Sequence, residues 1–404
     1  MTTDELLTRT RGLFPTELHD RLWLVGGTVR DLLLGETPGD LDLLAAVPAA
    51  ELLPLGYRPV TPRSAAPILF NFHRQWGKIE ITLLPDGAAG LAADLPRRDF
   101  TVNAMALSLA GKLIDPLDGQ AALTGRQLVP CSPMAFSDDP LRIFRAFRFV
   151  AHGWQLSPAA ADLIGERDWE SSLVGIPAER FSNELLKALA GPAPADFFRL
   201  MVRFNVGHTF LPELFRLAEV PAGPLRYHPE GDLLTHALQV LERFAAAEGD
   251  AAARFCAFTH DFGKLATPVD QYPRHIGHEE AGPALVHDLC DRLRLPAALR
   301  TAAMAISRLH HVANHWPELR PGTRLRLASD ALKGRVAEFL PQMVAADKGA
   351  PRMDGWEGVC RIAGLSATEL GLDQAAMDTV PPDKRAELLW QRRVALVKAV
   401  SGER

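Results

Sequence analysis

Two periodicities divide this chain. Up to about residue 136, short apolar runs alternate with turn residues. Residues 21–25, Arg-Leu-Trp-Leu-Val, read as a strand closed by Gly26-Gly27, with a helix opening at about Thr28. Residues 41–47 read as a second strand. In Lys78-Ile-Glu-Ile-Thr-Leu83, Ile79, Ile81 and Leu83 share one face while Lys78, Glu80 and Thr82 share the other. Beyond Ser137 the two-residue alternation fades. Apolar residues then recur every three or four positions, as in Leu141, Phe144 and Phe147, then Leu185, Leu186 and Leu189. Breaks at Gly191-Pro-Ala-Pro194 and Pro221-Ala-Gly-Pro224 cannot continue a helix. The pattern predicts an α+β protein: a mixed α/β segment, then an all-helical remainder.

Length and charge narrow this picture. At 404 residues the chain exceeds one ordinary core, so about two to four domains are expected. Apolar residues make up 47% and charged residues 23%, with no apolar run long enough for a bilayer. The N-terminus lacks the basic and then apolar regions of a signal peptide, and a cytoplasmic protein without membrane contact is expected. Cys131, Cys256, Cys290 and Cys360 form no Cys-x-x-Cys, which argues against a thiolate zinc site. A net charge of −5 excludes indiscriminate coating of nucleic acid, so any RNA contact must be local. Arg142, Arg145 and Arg148 on one predicted helix are candidates.

Candidate chemistry concentrates in two places. Asp40 and Asp42 are one residue apart and, on a strand, would project from the same face. Two such carboxylates can share divalent cations, activating a hydroxyl and neutralising a triphosphate. Glu80 on a neighbouring strand would complete a catalytic trio. The Gly26-Gly27 turn leaves room for phosphate oxygens near backbone N–H groups. Asp139 and Arg142 lie three apart, on one helical face. A carboxylate beside a guanidinium matches the amino donor and ring acceptor of cytosine and of adenine. Uracil and guanine present the inverse order, at about 1–3 kcal/mol per unmade bond. In the second place, nine of the thirteen histidines fall between His228 and His315. His236, His260-Asp261 and Asp347 form a series that suits a divalent metal, with Lys264, His275, His278, His310 and His311 nearby.

The order strand, Gly-Gly, helix with Arg30, strand with Asp-x-Asp resembles the first motif of the class II tRNA nucleotidyltransferase and bacterial poly(A) polymerase family. Arg97-Arg-Asp-Phe-Thr-Val-Asn-Ala104, Ile114-Asp-Pro-Leu-Asp-Gly119 and Ser137-Asp-Asp-Pro-Leu-Arg142 resemble its next three motifs, although the last usually reads Glu-Asp. The resemblance implies a polymerase-beta-like nucleotidyltransferase head (1–136), a helical nucleotide-recognition neck (137–225), an HD phosphohydrolase-like domain (226–350) and a helical tail (351–404). It implies a Mg2+-dependent, template-independent enzyme that extends tRNA 3′ ends from CTP and ATP. Gly26, Gly27 and Arg30 would hold the phosphates, Arg98 and Asp99 the ribose and phosphate, and Asp139 and Arg142 the base, with Arg145 and Arg148 alongside. Asn103 would brace the site, and Asp115 and Gly119 would shape a loop. The HD metal's identity is left open. The rivals are a poly(A) polymerase and a nucleotide-sensing or RNA-binding protein with an inert head. The segment from Ile81 to Pro96 is short, with Asp86 and Asp94 its only ionisable side chains, whereas full CCA-adding relatives carry a longer charged loop there. The expected product is therefore CCA or, on the shortness of this segment, CC only.

Overall fold

A computed structural model describes residues 1–60, 67–85, 87 and 89–400; Asp86 lies outside the described residues. Two compact units, Met1–Asp168 and Trp169–Arg404, make up the chain. The first contains the expected sheet, with seven strands: β1 (Leu22–Val25), β2 (Leu41–Ala45), β3 (Arg58–Pro59), β4 (Ile68–His73), β5 (Gly77–Leu83), β6 (Ala106–Ser108) and β7 (Leu113–Ile114). Their order is β3-β4-β5-β2-β1-β6-β7. Only the β2–β5 pair is parallel; the other neighbours run antiparallel.

The sequence pattern explains which face is buried. Leu41, Leu43, Ile79 and Ile81 alternate onto one face and are buried, as is Leu69 across from Ile81. On the other face Asp42 sits two residues before Leu44. Around Leu44 an apolar cluster of Trp23, Val25 and Ala106 is covered by Leu84, Leu91 and Leu95. This face is therefore covered at the Leu44 end and polar at the Asp42 end. α1 (Gly27–Leu33) follows β1 through Gly26, whose φ of +64° suits a residue without Cβ.

The third motif is structural, as expected. Asp115 Oδ1 accepts from Gly119 N at 2.7 Å and Oδ2 from Gln120 N at 2.9 Å, capping the helix Gly119–Thr124. A Cβ on Gly119 would lie 2.4 Å from the Thr101 carbonyl oxygen and 2.8 Å from Met105 Cγ. Gly119→Ala should therefore cost about 1–3 kcal/mol through overpacking. A fall of several degrees in the melting temperature of the purified protein checks this; an unchanged value would show that the backbone yields freely.

The second unit is helical among the described residues. The side chains expected to ligate a metal come from five segments. α2 (Leu233–Ala247) is capped by Asp232, which accepts from Thr235 N at 2.8 Å, and carries His236. His260-Asp261 ends α3 (Ala251–Thr259). α4 (His278–Arg292), α5 (Ala297–Asn314) and α6 (Leu340–Lys348) supply His278, His310 and Asp347. No helix of the described residues is long and apolar enough to cross a membrane.

Candidate active site and metal centre

In the first unit, strand register aligns the acidic groups. Asp42 is paired directly with Glu80 across the parallel β2–β5 ladder, so both side chains leave the same face. Asp40 lies just before β2, and its Oδ1 accepts from Lys78 N at 3.1 Å. Thr28 staples the pair to the glycine turn: its hydroxyl accepts from Asp42 N at 2.9 Å and donates to the Asp40 carbonyl at 3.2 Å. Lys78 Nζ pairs with Glu80. Burial raises the pKa of Asp42, and the Glu80 and Asp40 charges raise it further, against the opposing effect of Arg98. A half-buried carboxylate among like charges is electrostatically incomplete, and a hard cation with oxygen ligands would complete it. Among the described residues the three carboxylates do not form a group with all ligand oxygens within 4.8 Å.

A cavity of about 470 Å³ opens beside Asp42. Of the expected residues, Gly26, Gly27, Asp42, Arg98, Asp99, Asp139, Arg142 and Arg145 line it. Arg98 lies over the glycine turn, where a Cβ on Gly26 would come within 3.1 Å of its Nη1 and 3.5 Å of Asp42 Oδ2. Asp94 orients it, accepting from Nε at 2.9 Å. Arg142 is fixed by donating to the carbonyls of Ala135 at 2.9 Å and Arg97 at 2.7 Å. Asp139 Oδ1 accepts from Leu141 N at 3.2 Å, at the start of the helix Leu141–Ala151 that carries Arg142.

Asp40, Glu80, Arg30 and Arg148 do not line this cavity. Arg30 contacts the cavity lining through Asn103. It pairs with Asp31 at 2.6 Å, donates to Asn103 Oδ1 at 2.7 Å and sits 5.0 Å from the Phe149 ring centre. Asn103 in turn donates to Asp99 at 3.0 Å, and Arg145 Nε is 2.9 Å from Asp99 Oδ2. Burial alone would raise the Asp99 pKa, but Arg145 and the Asn103 amide outweigh it and hold the carboxyl below its ordinary range. Arg148 lies 4.5 Å from the Phe149 ring centre. The Asp94 contact was not foreseen; its only sequence signal is the four-residue spacing to Arg98.

In the second unit the expected residues converge. His236 Nε2 lies 3.4 Å from both Asp261 Oδ2 and Asp347 Oδ1, and His260 Nε2 lies 3.3 Å from Asp261 Oδ2. The other Asp261 oxygen faces His278 at 3.4 Å and His310 at 3.1 Å. Backbone carbonyls fix the tautomers. His260, His278 and His310 donate from Nδ1 to Ala257, His275 and Ser307 at 2.8, 2.8 and 3.0 Å, which leaves each Nε2 lone pair pointing inward. The buried Nε2 atoms of His236 and His260 and Oδ1 of Asp261 have no hydrogen-bond partner among the described residues. Imidazole and carboxylate donors in this state fit a divalent transition metal. Burial lowers the His236 pKa, but Asp261, Asp347 and Glu230 outweigh it and raise it to about 10. Glu230, not foreseen, accepts from His236 Nδ1 at 2.7 Å.

Residues 72–129 match the Poly A polymerase head domain, and residues 167–217 the probable RNA and SrmB-binding site of polymerase A. A multifunctional CCA protein of Nitrosococcus oceani is 36% identical over 410 residues, covering 95% of this chain and 99% of the relative. One from Thioalkalivibrio sulfidiphilus is 37% identical, covering 83% and 86%. Among solved structures, the Bacillus stearothermophilus CCA-adding enzyme in complex with CTP matches with a TM-score of 0.60 at 23% identity, covering 100% of this chain and 94% of that one.

Proposed function

The chain belongs to the multifunctional CCA protein family of tRNA nucleotidyltransferases, and from that premise we propose how its own residues divide the work. The reaction joins the 3′-hydroxyl of tRNA to the α-phosphate of CTP or ATP and releases pyrophosphate. Asp42, Asp40 and Glu80 would hold Mg2+, which would supply activation of the hydroxyl and neutralisation of the triphosphate. Arg98 and the N–H groups at Gly26-Gly27 receive the phosphates. Asp99, kept ionised by Arg145 and Asn103, takes the ribose hydroxyl. Arg30 keeps the Asn103–Asp99 pair in place rather than touching phosphate itself.

The observation that carries this reading is a single cavity uniting Asp42, the glycine turn, Asp139 and Arg142. Both backbone contacts of Arg142 lock its guanidinium before any base arrives. Arg142→Ala should therefore lower the CTP-over-UTP ratio of kcat/KM about a hundredfold, the size of two misplaced hydrogen bonds. Measuring both substrates on the same tRNA checks it; an unchanged ratio would place base selection elsewhere.

Relatives named for CCA span the chain, so full CCA addition is favoured over both the CC-only product and a poly(A) tail. Incubating tRNA lacking its terminus with CTP and ATP, then sequencing the 3′ end, tests this. A product ending at CC, or a homopolymer of A, would reject it.

The helical unit supports a second activity, in keeping with relatives called multifunctional. We assign its residues 226–350 to an HD phosphohydrolase. His236, His260 and Asp261, with Asp347 at 3.4 Å from His236, would hold a divalent metal, which would supply activation of water, while Asp261, His278 and His310 form an adjoining group of potential ligands. A cavity of about 880 Å³ over these groups is lined by Arg226, Arg243, Arg274 and Arg352, as a phosphate ester requires. The substrate would be a 2′,3′-cyclic, 2′- or 3′-phosphate at an RNA end.

A further inference from the structure

The polar face of the sheet continues past the carboxylates. In the register of β4 and β5, Phe70 stands opposite Glu80 and Phe72 opposite Lys78, so both rings leave the face that carries Asp42. Arg58 on β3 stands opposite Phe70. One row across the sheet thus reads Arg58, Phe70, Glu80, Asp42, and the row beside it holds Phe72 and Lys78. Phe72 is 72% exposed, with its ring edge-to-face against Phe70 at 5.9 Å between centres.

Position decides what such a ring meets. The nucleotide cavity begins at Asp42 and Thr82 and extends toward Gly26 and Arg98; Phe70, Phe72 and Glu80 are not among its lining. In an in-line displacement the attacking hydroxyl approaches the α-phosphate opposite the leaving pyrophosphate. With the triphosphate over the glycine turn, the attacking group comes from across Glu80, where the two phenylalanines lie. The exposed Phe72 ring stands opposite Lys78, whose ammonium pairs with Glu80, and Arg58 stands opposite the neighbouring Phe70; an exposed aromatic face beside cationic side chains matches a nucleobase with its phosphate rather than an apolar protein surface.

We propose that Phe72, backed by Phe70, is the stacking platform for the 3′-terminal base of the acceptor RNA. The inference rests on the nucleotide-addition reading above. A flat aromatic face accepts any base, so it serves each successive terminus as the end grows, whereas Asp139 and Arg142 select the incoming nucleotide.

The experiment is steady-state incorporation of labelled CTP into tRNA lacking its CCA end, by the wild-type chain, Phe72→Ala and Phe72→Trp. Phe72→Ala should raise KM for tRNA about tenfold, the size of one lost base stack, with KM for CTP unchanged. Phe72→Trp should restore tRNA binding. Equal KM for tRNA in all three proteins, or a parallel loss for CTP and tRNA, overturns the platform while leaving the addition reading intact. A wild-type chain that incorporates nothing overturns the addition reading, and the platform with it.

Discussion

Asp42→Asn should abolish nucleotide addition, lowering the rate of CTP incorporation about a thousandfold or more, while leaving the protein as stable or more stable. The rate loss follows from position. Asp42 is the carboxylate shared by the acidic row and the nucleotide cavity, so its charge is the one that would both hold a metal ion and face the bound nucleotide. Losing it removes several kcal/mol of transition-state stabilisation, about 4 kcal/mol for a thousandfold. Stability runs the other way because the folded protein raises the Asp42 pKa, through burial and the charges of Glu80 and Asp40. A carboxyl with a raised folded pKa holds its proton more tightly folded than unfolded. Its contribution therefore favours folding at low pH and is lost as pH rises through the folded pKa. Asparagine carries no charge to penalise, and the Thr28 staple uses only the Asp42 backbone. Melting curves at pH 7 beside incorporation assays check both halves. A variant that is inactive and unfolded would refute the claim that the charge serves catalysis at the expense of stability.

The same titration sets a pH dependence. In the wild-type chain, addition should fall as pH drops through the raised Asp42 pKa, and higher Mg2+ should move that limb to lower pH by favouring the ionised form.

Legibility in the sequence was uneven for physical reasons. The strands of the first unit were readable because one buried face forces an apolar residue at every second position, as at Leu41, Leu43, Ile79 and Ile81. That alternation also placed Asp42 and Glu80 on a common face. It did not reveal the pairing of β2 with β5, which crosses 38 positions and makes the two carboxylates direct neighbours. Asp40 lies just before the strand, as the bounds 41–47 imply, but the Lys78 amide that holds its oxygen could not be read from the sequence. Arg30, expected at phosphate, is not among the cavity lining; it contacts Asp31, Phe149 and Asn103, and Asn103 does line the cavity. A guanidinium reads the same in sequence whether it meets a ligand or braces a neighbour. In the helical unit the clustering of histidines pointed to residues that the fold brings together. The carbonyls that set their tautomers, and Glu230 behind His236, depend on helix packing that spacing alone does not encode.

The second activity gives the other large expected effect. Asp261→Asn should abolish hydrolysis of a 2′,3′-cyclic nucleotide and remove bound transition metal, while CTP incorporation stays within about twofold of wild type. Asp261 is buried, with one oxygen on the His236–His260 side and the other facing His278 and His310, so no single neighbour can replace it. It also accepts from Lys264 Nζ at 2.7 Å, and an amide there leaves a buried cation without its counter-charge. That can cost about 3–5 kcal/mol, so Asp347→Asn serves as the companion variant, since Lys264 pairs with Asp261 whereas Asp347 pairs with Lys348 and Asn314. Metal content by elemental analysis, read beside melting curves, separates a lost ligand from a lost fold. Proton linkage gives an independent test. With His236 raised to about 10, its imidazole is protonated at pH 7, yet ligation through Nε2 requires the neutral ring. Binding of Ni2+ or Mn2+ should therefore release about one proton and tighten about tenfold per pH unit between pH 6 and 8. Calorimetry in two buffers of different ionisation enthalpy measures that proton directly. Metal binding with no proton released would mean that the imidazole is already neutral, and would remove His236 as the group whose charge the ion replaces.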